Sequence, residues 1–407
     1  MRRVADHLSD VLAAVAALAP IDVGLLDAHG AVAAEDVIAP WPLPGYDHAT
    51  TPGYAVRAAD IAKASPEAPV TLPVVADISS GDHSAHAIGP GHAARMAAGA
   101  PLPRGADAVL PLSDTDGGLA RVVVAAPTSP GQWVRRRAED VEKGDIALRV
   151  GTYLGAAQIG LLAAVGKDRV TVRPRPRVVV LAVGSRLVEP GRSVALGQVT
   201  DSTGHLLTTA AKEAGATAFR VAAVSDDPRA VRSTLEDQLV RADLVLTSGG
   251  LSDPDGVIRS VAAQLGQVDF VQVAMEPGAE QAFGVIGDEQ VPIFCLPGRP
   301  VDAFVAFEVF VRPVIRKMVG VTRLHRPTVR ATLTADISSS AGPRQFARAR
   351  VSTTGEDEYQ VEPLGALEAP HLTDLARANA LAVVPESVAH IPSGAQVDCL
   401  LLERRRG

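Results

Sequence analysis

The stretch Thr247-Ser248-Gly249-Gly250-Leu251-Ser252-Asp253-Pro254-Asp255 decides the fold of this chain. It follows the apolar run Leu244-Val245-Leu246 and leads into a helical pattern from Val257 to Leu265. A buried strand that ends in Ser-Gly-Gly presents backbone N–H groups and hydroxyls at the start of the next helix, where the helix dipole favours negative charge. The stretch therefore predicts an anion-binding turn. A plain strand-to-helix turn, with glycines needed only for its geometry, explains the same letters.

Two other predicted strands end in the same way. Residues 177–183 stop at Gly184-Ser185, and residues 292–296 stop at Pro297-Gly298-Arg299-Pro300, where Pro300 suits the first position of a helix. Three short apolar strands separated by helical patterns predict a parallel sheet of βαβ units. Because ligands bind outside the carboxyl ends of such strands, we expect the three glycine turns to form one pocket.

Composition limits the class of protein. The chain has 407 residues, of which 47% are hydrophobic and 21% charged, which is typical of a globular protein with several domains. The net charge is −7 and no basic stripe interleaves with aromatic residues, so nucleic acid is not an expected partner. The two cysteines, Cys295 and Cys399, indicate neither a disulfide framework nor a zinc site. With no signal peptide and no long apolar stretch, we expect a cytoplasmic protein without membrane insertion.

Hydrophobic spacing predicts the main elements. Helices are expected at about 4–19, 156–165, 203–214, 229–241, 255–265 and 301–319, where Pro313 can kink the last one. Pro73, within the β-type run 70–75, indicates an edge strand or a bulge. From Pro327 the alternation of apolar and polar residues predicts β-structure to the end of the chain.

Several motifs occur along nearly the whole chain in the same order as in one protein family. They are residues 44–57 with Gly53-Tyr54-Ala55-Val56-Arg57, Gly99-Ala100-Pro101-Leu102-Pro103 with Gly105-Ala106-Asp107-Ala108-Val109, Arg135 with Glu139-Asp140 and Gly144-Asp145, Asp201-Ser202-Thr203, residues 296–300, and His371-Leu372 with Leu375-Ala376-Arg377-Ala378-Asn379. In these segments the chain resembles the MoeA-type molybdenum insertases (molybdopterin molybdenumtransferases). The animal relative of that family is the E domain of gephyrin.

The resemblance implies an α/β and β multidomain protein. A central three-layer α/β molybdopterin-binding domain with a mainly parallel sheet is expected at 173–322. A β-rich domain is expected at 43–137, and a small helical linker domain is formed by 1–42 with 138–172. A β-barrel-like domain is expected at 323–407.

The resemblance also implies ligands and partners. Molybdopterin or its adenylate is the expected ligand and Mg²⁺ the family's cofactor. The family forms elongated homodimers in which the Gly-Tyr-Ala loop of one subunit reaches the pocket of the other. The residues that would hold the ligand are Gly184, Ser185, Thr247, Ser248, Gly249, Gly250, Ser252, Pro297, Gly298 and Arg299.

Several acidic positions of the family's motifs are substituted. They are occupied by Pro52, Ser185, Arg186 and Val257. Mg²⁺ needs hard oxygen ligands, which these side chains do not supply apart from the serine hydroxyl, and Arg186 adds a fixed cation. Asp255 and Asp201 are the remaining candidate acids, so we assign no metal site. A shifted alignment would instead make Asp253, Asp255 or Asp47 the ligands.

Other departures and two functional hypotheses complete the prediction. The family's Lys-Pro-Gly-Lys-Pro motif reads Glu276-Pro277-Gly278-Ala279-Glu280, without either lysine, and Arg299 replaces an asparagine. The first hypothesis is a molybdopterin molybdenumtransferase of molybdenum cofactor biosynthesis with reduced or lost catalysis. The second is a catalytically inactive, gephyrin-like dimeric scaffold that binds a protein partner near the C-terminal domain, for example in bacterial cell division.

Overall fold

The chain forms two compact units in a computed structural model that describes residues 1–251, 256–339, 341–355 and 358–402. One unit is Asp22–Val170, and the other joins Met1–Ile21 to Thr171–Gly407. The division into four domains that the resemblance implies stays a prediction. None of the helices in the described ranges is long and apolar enough to cross a membrane.

Short strands dominate the unit Asp22–Val170. After helix α1 (Val4–Ala13), which belongs to the other unit, the strands are β1 (Ile21–Gly24), β2 (Val32–Ala33), β3 (Val37–Ile38), β4 (His48–Ala49), β5 (Gly53–Val56), β6 (Val70–Ile78), β7 (Ala93–Met96), β8 (Ala108–Pro111), β9 (Arg121–Val124), β10 (Val134–Arg135), β11 (Ile146–Leu148) and β12 (Arg169–Arg173). Helix α2 (Ala156–Ala164) and two 3-10 turns, Ala58–Ile61 and Leu112–Asp114, complete it. Five of the strands form a sheet in the order β8-β5-β7-β6-β9.

Pro73 lies where strand β6 changes partner. Residues 70–73 pair with β9, and pairing with β7 begins at Val74, with a register shift before Ala76. Up to Pro73 the strand pairs with β9, and after Pro73 it pairs with β7. One edge of the strand is therefore unpaired before and after Pro73, and a residue without an N–H is tolerated there. Both features expected of this proline, an unpaired edge and a bulge, are present locally.

The central part of the other unit is an α/β sandwich. Its elements are β13 (Arg177–Val183), β14 (Leu187–Val188), β15 (Val199–Thr200), α3 (Thr203–Ala214), β16 (Thr217–Val224), α4 (Pro228–Leu239), β17 (Leu244–Ser248), α5 (Val257–Leu265), β18 (Gly266–Gln272), β19 (Met275–Glu276), β20 (Glu280–Ile286), β21 (Val291–Leu296), α6 (Pro300–Ala306), a π-helical turn (Phe307–Val311) and α7 (Arg312–Val319). The strand order is β16-β13-β17-β21-β20-β18.

The register of this sheet places three strand ends side by side. The pairs β13–β16, β13–β17 and β17–β21 are parallel. Strand β20 is antiparallel to β21, and β18 is antiparallel to β20. Alternate side chains of β13, including Val179 and Leu181, pack with Val231 of α4 and Ile258 of α5 in one buried core. Helix α3 packs on the other face with α6 and α7. The predicted three-layer arrangement with a mainly parallel sheet is therefore present.

A closed barrel follows. Its elements are β22 (Thr328–Leu333), β23 (Ile337–Ser338), β24 (Arg344–Gly355), β25 (Glu358–Pro363), α8 (Leu372–Arg377), β26 (Ala380–Val384), β27 (His390–Ile391) and β28 (Gln396–Leu401). Five strands close in the order β24-β25-β22-β28-β26 and back to β24, and β19 adds to β24 from outside. The expectation of β-structure throughout was wrong at α8, a short helix that buries Leu375.

Two helix predictions need correction. Helix α1 ends at Ala13, several residues before Pro20, and the backbone N–H of Leu18 beyond it donates to the carbonyl of Met318. The segment 300–319 is helical as predicted, but its irregularity is the π-helical turn Phe307–Val311 directly before Pro313. Proline has no backbone N–H, and a π-helical turn is a local adjustment of the helix to the hydrogen bond that is therefore missing.

His7 makes the docking of α1 sensitive to acid. Its side chain is buried, its ring lies edge-on against Phe310 at 4.8 Å, and within the described residues neither ring nitrogen has a hydrogen-bond partner. Burial, assisted by Arg2 and opposed by Asp10 and Asp269, lowers the pKa of His7 to about 4. The folded chain therefore holds this imidazole neutral at pH values where the unfolded chain protonates it.

We predict that the variant His7→Leu loses less stability in acid than the wild type. Unfolded His7 takes up its proton near pH 6.5 and folded His7 near pH 4, so the wild type loses stability as the pH falls through this window, by about 3 kcal/mol. Chemical unfolding at pH 7 and pH 4 measures the difference, with the exposed His83→Leu as control. Equal acid losses in His7→Leu and the wild type would contradict this account.

Candidate functional site

The three glycine turns lie around one cavity. It has a volume of about 750 Å³ and is lined by the ends of β13 and β17, the turn after β21 and the first turn of α3. We call it the glycine-turn cavity. Its lining residues are Ala182, Val183, Gly184, Arg186, Leu187, Val199, Thr200, Asp201, Ser202, Thr203, Asp226, Ser248, Gly249, Gly250, Gly256, Val257, Gly298, Arg299 and Pro300.

Glycine is required in this wall by contacts between backbones. Gly249 has φ +84°, and a Cβ atom there would lie 2.3 Å from the carbonyl oxygen of Val183. A Cβ atom on Gly298 would lie 3.2 Å from the Cα atom of Gly249. The strand ends therefore approach more closely than side chains would allow, and the cavity is bounded by bare backbone.

Three backbone N–H groups that the sequence predicted to be free for an anion are already bonded. Gly249 donates to the carbonyl of Leu296 at 3.2 Å, and Gly184 donates to the carbonyl of Val224 at 2.8 Å. Ser185 donates its N–H to a carboxylate oxygen of Asp226 at 3.0 Å. These groups shape the wall, so ligand recognition depends on the remaining donors and on side chains.

Asp226 is the acid that the sequence analysis missed. It follows β16, lines the cavity, and donates its own N–H to the Ser185 hydroxyl at 3.0 Å while accepting from the Ser185 N–H. The available signal was the Asp226-Asp227-Pro228 run at the start of α4, where Asp227 caps the helix. Only the fold shows that Asp226 lies across from Ser185, 41 residues earlier.

Asp201 is held inside the protein. One carboxylate oxygen accepts the N–H of Gly204 at 2.7 Å, and the other accepts Nη1 of Arg220 at 3.0 Å. Its side chain is 1% exposed although the residue borders the cavity. Asp201 is therefore a structural anion at the start of α3, with both oxygens engaged.

The other predicted residues divide between the cavity and its surroundings. Arg186 and Val257 line it, and the exposed Arg186 side chain forms no ion pair with any described residue. Thr247 is fully buried opposite Cys295. Burial raises the pKa of Cys295 to about 12, so this thiol is not a nucleophile. Ser252 and Asp255, together with Asp253, lie outside the described residues.

Known proteins match this arrangement along the whole chain. Three family models match in succession: the MoeA N-terminal region (domain I and II) at 2–166, a probable molybdopterin binding domain at 179–317, and the MoeA C-terminal region (domain IV) at 330–402. "Molybdopterin molybdenumtransferase 1" and "Molybdopterin molybdenumtransferase 2" of Mycobacterium tuberculosis are 41% and 39% identical, with 99% and 98% of each chain covered. The chain belongs to the MoeA family.

A solved structure of the family agrees with the fold. The molybdopterin biosynthesis MoeA protein from Pyrococcus horikosii superimposes with a TM-score of 0.84 at 30% identity, over 99% of both chains. The glycine-turn cavity lies within the segment matched by the probable molybdopterin binding domain.

A second cavity adjoins the first and is lined by acids. It has a volume of about 510 Å³ and shares Gly298 and Arg299 with the glycine-turn cavity. We call it the acidic cavity, because its lining includes Glu276, Glu280, Asp302 and Glu368, and Pro297 lies in it as well. Glu276 stands at a position where the MoeA motif has a lysine, and Ala279, which also lines this cavity, stands at the other.

Arg299 is committed to an ion pair at the border of the two cavities. Its Nη2 donates to a carboxylate oxygen of Asp302 at 2.6 Å. Burial raises the pKa of Asp302, and Arg299 partly opposes this rise. The second oxygen of Asp302 is buried without a partner in the described part of the chain. Arg186 is therefore the cation of the glycine-turn cavity that is not already paired with a described acid.

Mg²⁺, which the MoeA family implies, fits the described residues poorly. Of the acids that line the glycine-turn cavity in the described ranges, Asp201 has both oxygens engaged and Asp226 holds the Ser185 N–H. Arg186 adds a positive charge to the same wall. A hard cation usually needs one or two free carboxylates as well as the oxygens of its substrate.

The fourth substituted position, Pro52, lies in the other unit. It is exposed at the start of strand β5, and Tyr54 of the Gly-Tyr-Ala motif is fully buried there with its hydroxyl donating to the carbonyl of Gly118 at 2.9 Å. The segment called a loop by resemblance is therefore a core strand from Gly53 to Val56. Tyr54 supports its own sheet.

We predict that Gly249→Ala destabilises the protein much more than Gly191→Ala. Both glycines have φ +84°, but a Cβ atom on Gly191 meets nothing within 4 Å. The control isolates the backbone strain of about 1–2 kcal/mol, and the clash at Gly249 adds at least about 2 kcal/mol. Urea unfolding of both variants measures the difference, and equal losses would show that the turns can separate without cost.

Proposed function

We propose that this chain binds molybdopterin or its adenylate in the glycine-turn cavity and acts as a molybdopterin molybdenumtransferase of molybdenum cofactor biosynthesis, with reduced or lost catalysis. The observation that carries the proposal is the meeting of the Gly184, Gly249 and Gly298 turns around one polar cavity in the segment matched by the molybdopterin-binding family model. Its volume of about 750 Å³ lies in the usual range for small-molecule sites.

The electrostatics favour an anionic ligand. Arg186 lines the cavity without an acidic partner among the described residues, so its guanidinium can pair with a phosphate of the ligand. The hydroxyls of Ser248 and Ser202 lie on the lining as further donors. Binding of a phosphorylated ligand is therefore supported by Arg186, which stands where the family motif has an acid, and by Ser248 and Ser202, which match the family motifs.

Reduced catalysis follows from the same substitution. Transfer of molybdenum in the family depends on Mg²⁺, and Arg186 places a fixed cation in the wall where an acid of the motif would stand. Two like charges in one cavity repel each other, which lowers the affinity for a divalent cation. We therefore expect ligand binding to survive better than turnover. The homodimer, the cytoplasmic location and a protein partner near the C-terminal domain stay predictions.

The test is cleavage of adenylylated molybdopterin in the presence of Mg²⁺ and molybdate, beside an active molybdenumtransferase as positive control. We expect the wild type to bind the substrate but to turn it over at least about tenfold more slowly than the control. We expect Arg186→Glu to raise Mg²⁺-dependent turnover, because it exchanges a cation for a carboxylate in the cavity wall. Arg192→Glu, on the exposed segment after β14 and outside the cavity lining, gives the same charge change and should have no such effect.

Each outcome has a clear meaning. Wild-type turnover at the level of the active control would refute reduced catalysis. Failure to bind the substrate at all would refute the proposed function and favour the scaffold hypothesis. Equal turnover of Arg186→Glu and Arg192→Glu would show that Arg186 is not what limits the metal-dependent step.

The acidic cavity leads to a separate prediction about free molybdate. Glu276 and Glu280 line it, with Glu276 accepting Nε2 of Gln345 at 3.3 Å, and their charges repel a dianion. We predict that Glu276→Lys with Glu280→Lys raises the affinity for molybdate at least about tenfold at low salt. Equilibrium dialysis measures binding. The double variant Asp288→Lys with Glu289→Lys changes the net charge equally on an exposed turn and should leave the affinity unchanged.

A further inference from the structure

Three charged side chains join two walls of the glycine-turn cavity. Arg220 lies on β16, Glu189 follows β14, and Asp201 precedes α3. Arg220 donates Nη1 and Nη2 to the two carboxylate oxygens of Glu189 at 3.0 and 2.6 Å, and Nη1 also donates to Asp201 at 3.0 Å. A planar guanidinium with its fixed fork of donors can hold two carboxylates in one geometry, whereas an ammonium group holds them less rigidly.

Asp201 is tied to the elements on both sides of it. The second oxygen of Asp201 accepts the N–H of Gly204 in the first turn of α3, and the backbone N–H of Asp201 donates to the carbonyl of Val188 at the end of β14. The hydroxyl of Thr203 then donates to the carbonyl of Gly298 at 3.0 Å. The start of α3 is thus bonded to the β14 side of the cavity and to the turn after β21.

Glycine is again needed where this network is tightest. A Cβ atom on Gly204 would lie in contact with the carboxylate of Asp201, closer than any real side chain allows. The network is also strongly electrostatic, since Arg220 lowers the pKa of Glu189, and Glu189 in turn raises the pKa of Arg220. Without the guanidinium, two carboxylates would face each other with one of them almost fully buried.

We propose that Arg220 is a positioning residue of the glycine-turn cavity, which sets the β14–β15 segment and the first turn of α3 in the arrangement that binds the ligand. Arg220 itself is not among the residues that line the cavity, whereas Leu187, Val199, Ser202 and Thr203 on the two elements that it joins are. The inference deepens the proposed function and rests on it for the identity of the ligand. It also gives Asp201 a structural role in place of the metal-binding role considered from the sequence.

The test compares two arginines on neighbouring strands of one sheet, each of which pairs with acids. Arg220→Met removes the network, and Arg177→Met removes the ion pair of Arg177 with Asp243 at the amino end of β13 and β17. We expect the Kd for adenylylated molybdopterin to rise about tenfold or more in Arg220→Met and by less than about twofold in Arg177→Met. Calorimetry is carried out at a temperature at which circular dichroism shows both variants folded.

Hydrogen exchange supplies a readout that needs no ligand. We expect the amides of residues 187–206 to exchange faster in Arg220→Met than in Arg177→Met, with other segments similar. Arg220→Lys keeps the charge but not the fork, so it should restore part of the affinity. If Arg220→Met does not fold, Glu189→Gln takes its place, because it leaves the buried bond between Arg220 and Asp201 intact.

The results separate this proposal from the proposed function. Unchanged affinity and unchanged exchange in folded Arg220→Met, or equal losses in Arg177→Met, would overturn the positioning role. A wild type that does not bind adenylylated molybdopterin would refute the proposed function, and hydrogen exchange at 187–206 would then decide the positioning role alone.

Discussion

The approach of bare backbone at three strand ends is the constraint on which the rest of the structure depends. The carbonyl of Val183, the Cα atom of Gly249 and residue Gly298 lie so close that a single methyl group at Gly249 would meet the carbonyl oxygen. This contact fixes the spacing of β13, β17 and β21 at their carboxyl ends, and the cavity exists because the chain turns there without side chains. Polar residues at the strand ends and in the surrounding loops, including Ser248, Arg186 and Asp226, complete the lining.

Much of this arrangement could be predicted from particular residues. Strand β13 begins and ends at the predicted residues, because a run of apolar residues closed by glycine has few other interpretations. Helix α3 ends at Ala214, and Gly215 after it has the left-handed conformation that suits glycine there. What failed depended on distant contacts. Leu18 lies beyond the end of α1 and donates its N–H to Met318, and the N–H of Ser185, which had been expected in the ligand site, donates to Asp226.

The candidate site was less predictable than the fold, since a sequence shows which acids are present but not what they bond to. Asp201 had counted as a possible metal ligand, yet Gly204 and Arg220 use both of its oxygens. Asp226 had not been considered, yet it borders the cavity. Arg299 had been expected to hold the ligand, yet it is paired with the buried Asp302. In each case the deciding partner lies in another element or in the next helical turn.

The distribution of charge is the basis of the proposed difference between ligand binding and turnover. The backbone that bounds the cavity cannot change without separating the strands, so its geometry is retained whatever the reaction requires. The exposed side chain of Arg186 is under no such constraint. Exchanging an acid for a cation at such a position costs the fold little, strengthens attraction to phosphate and repels a divalent metal. Under the proposed function, the backbone sets the shape of the cavity, whereas the side chains around it decide which charges the cavity attracts.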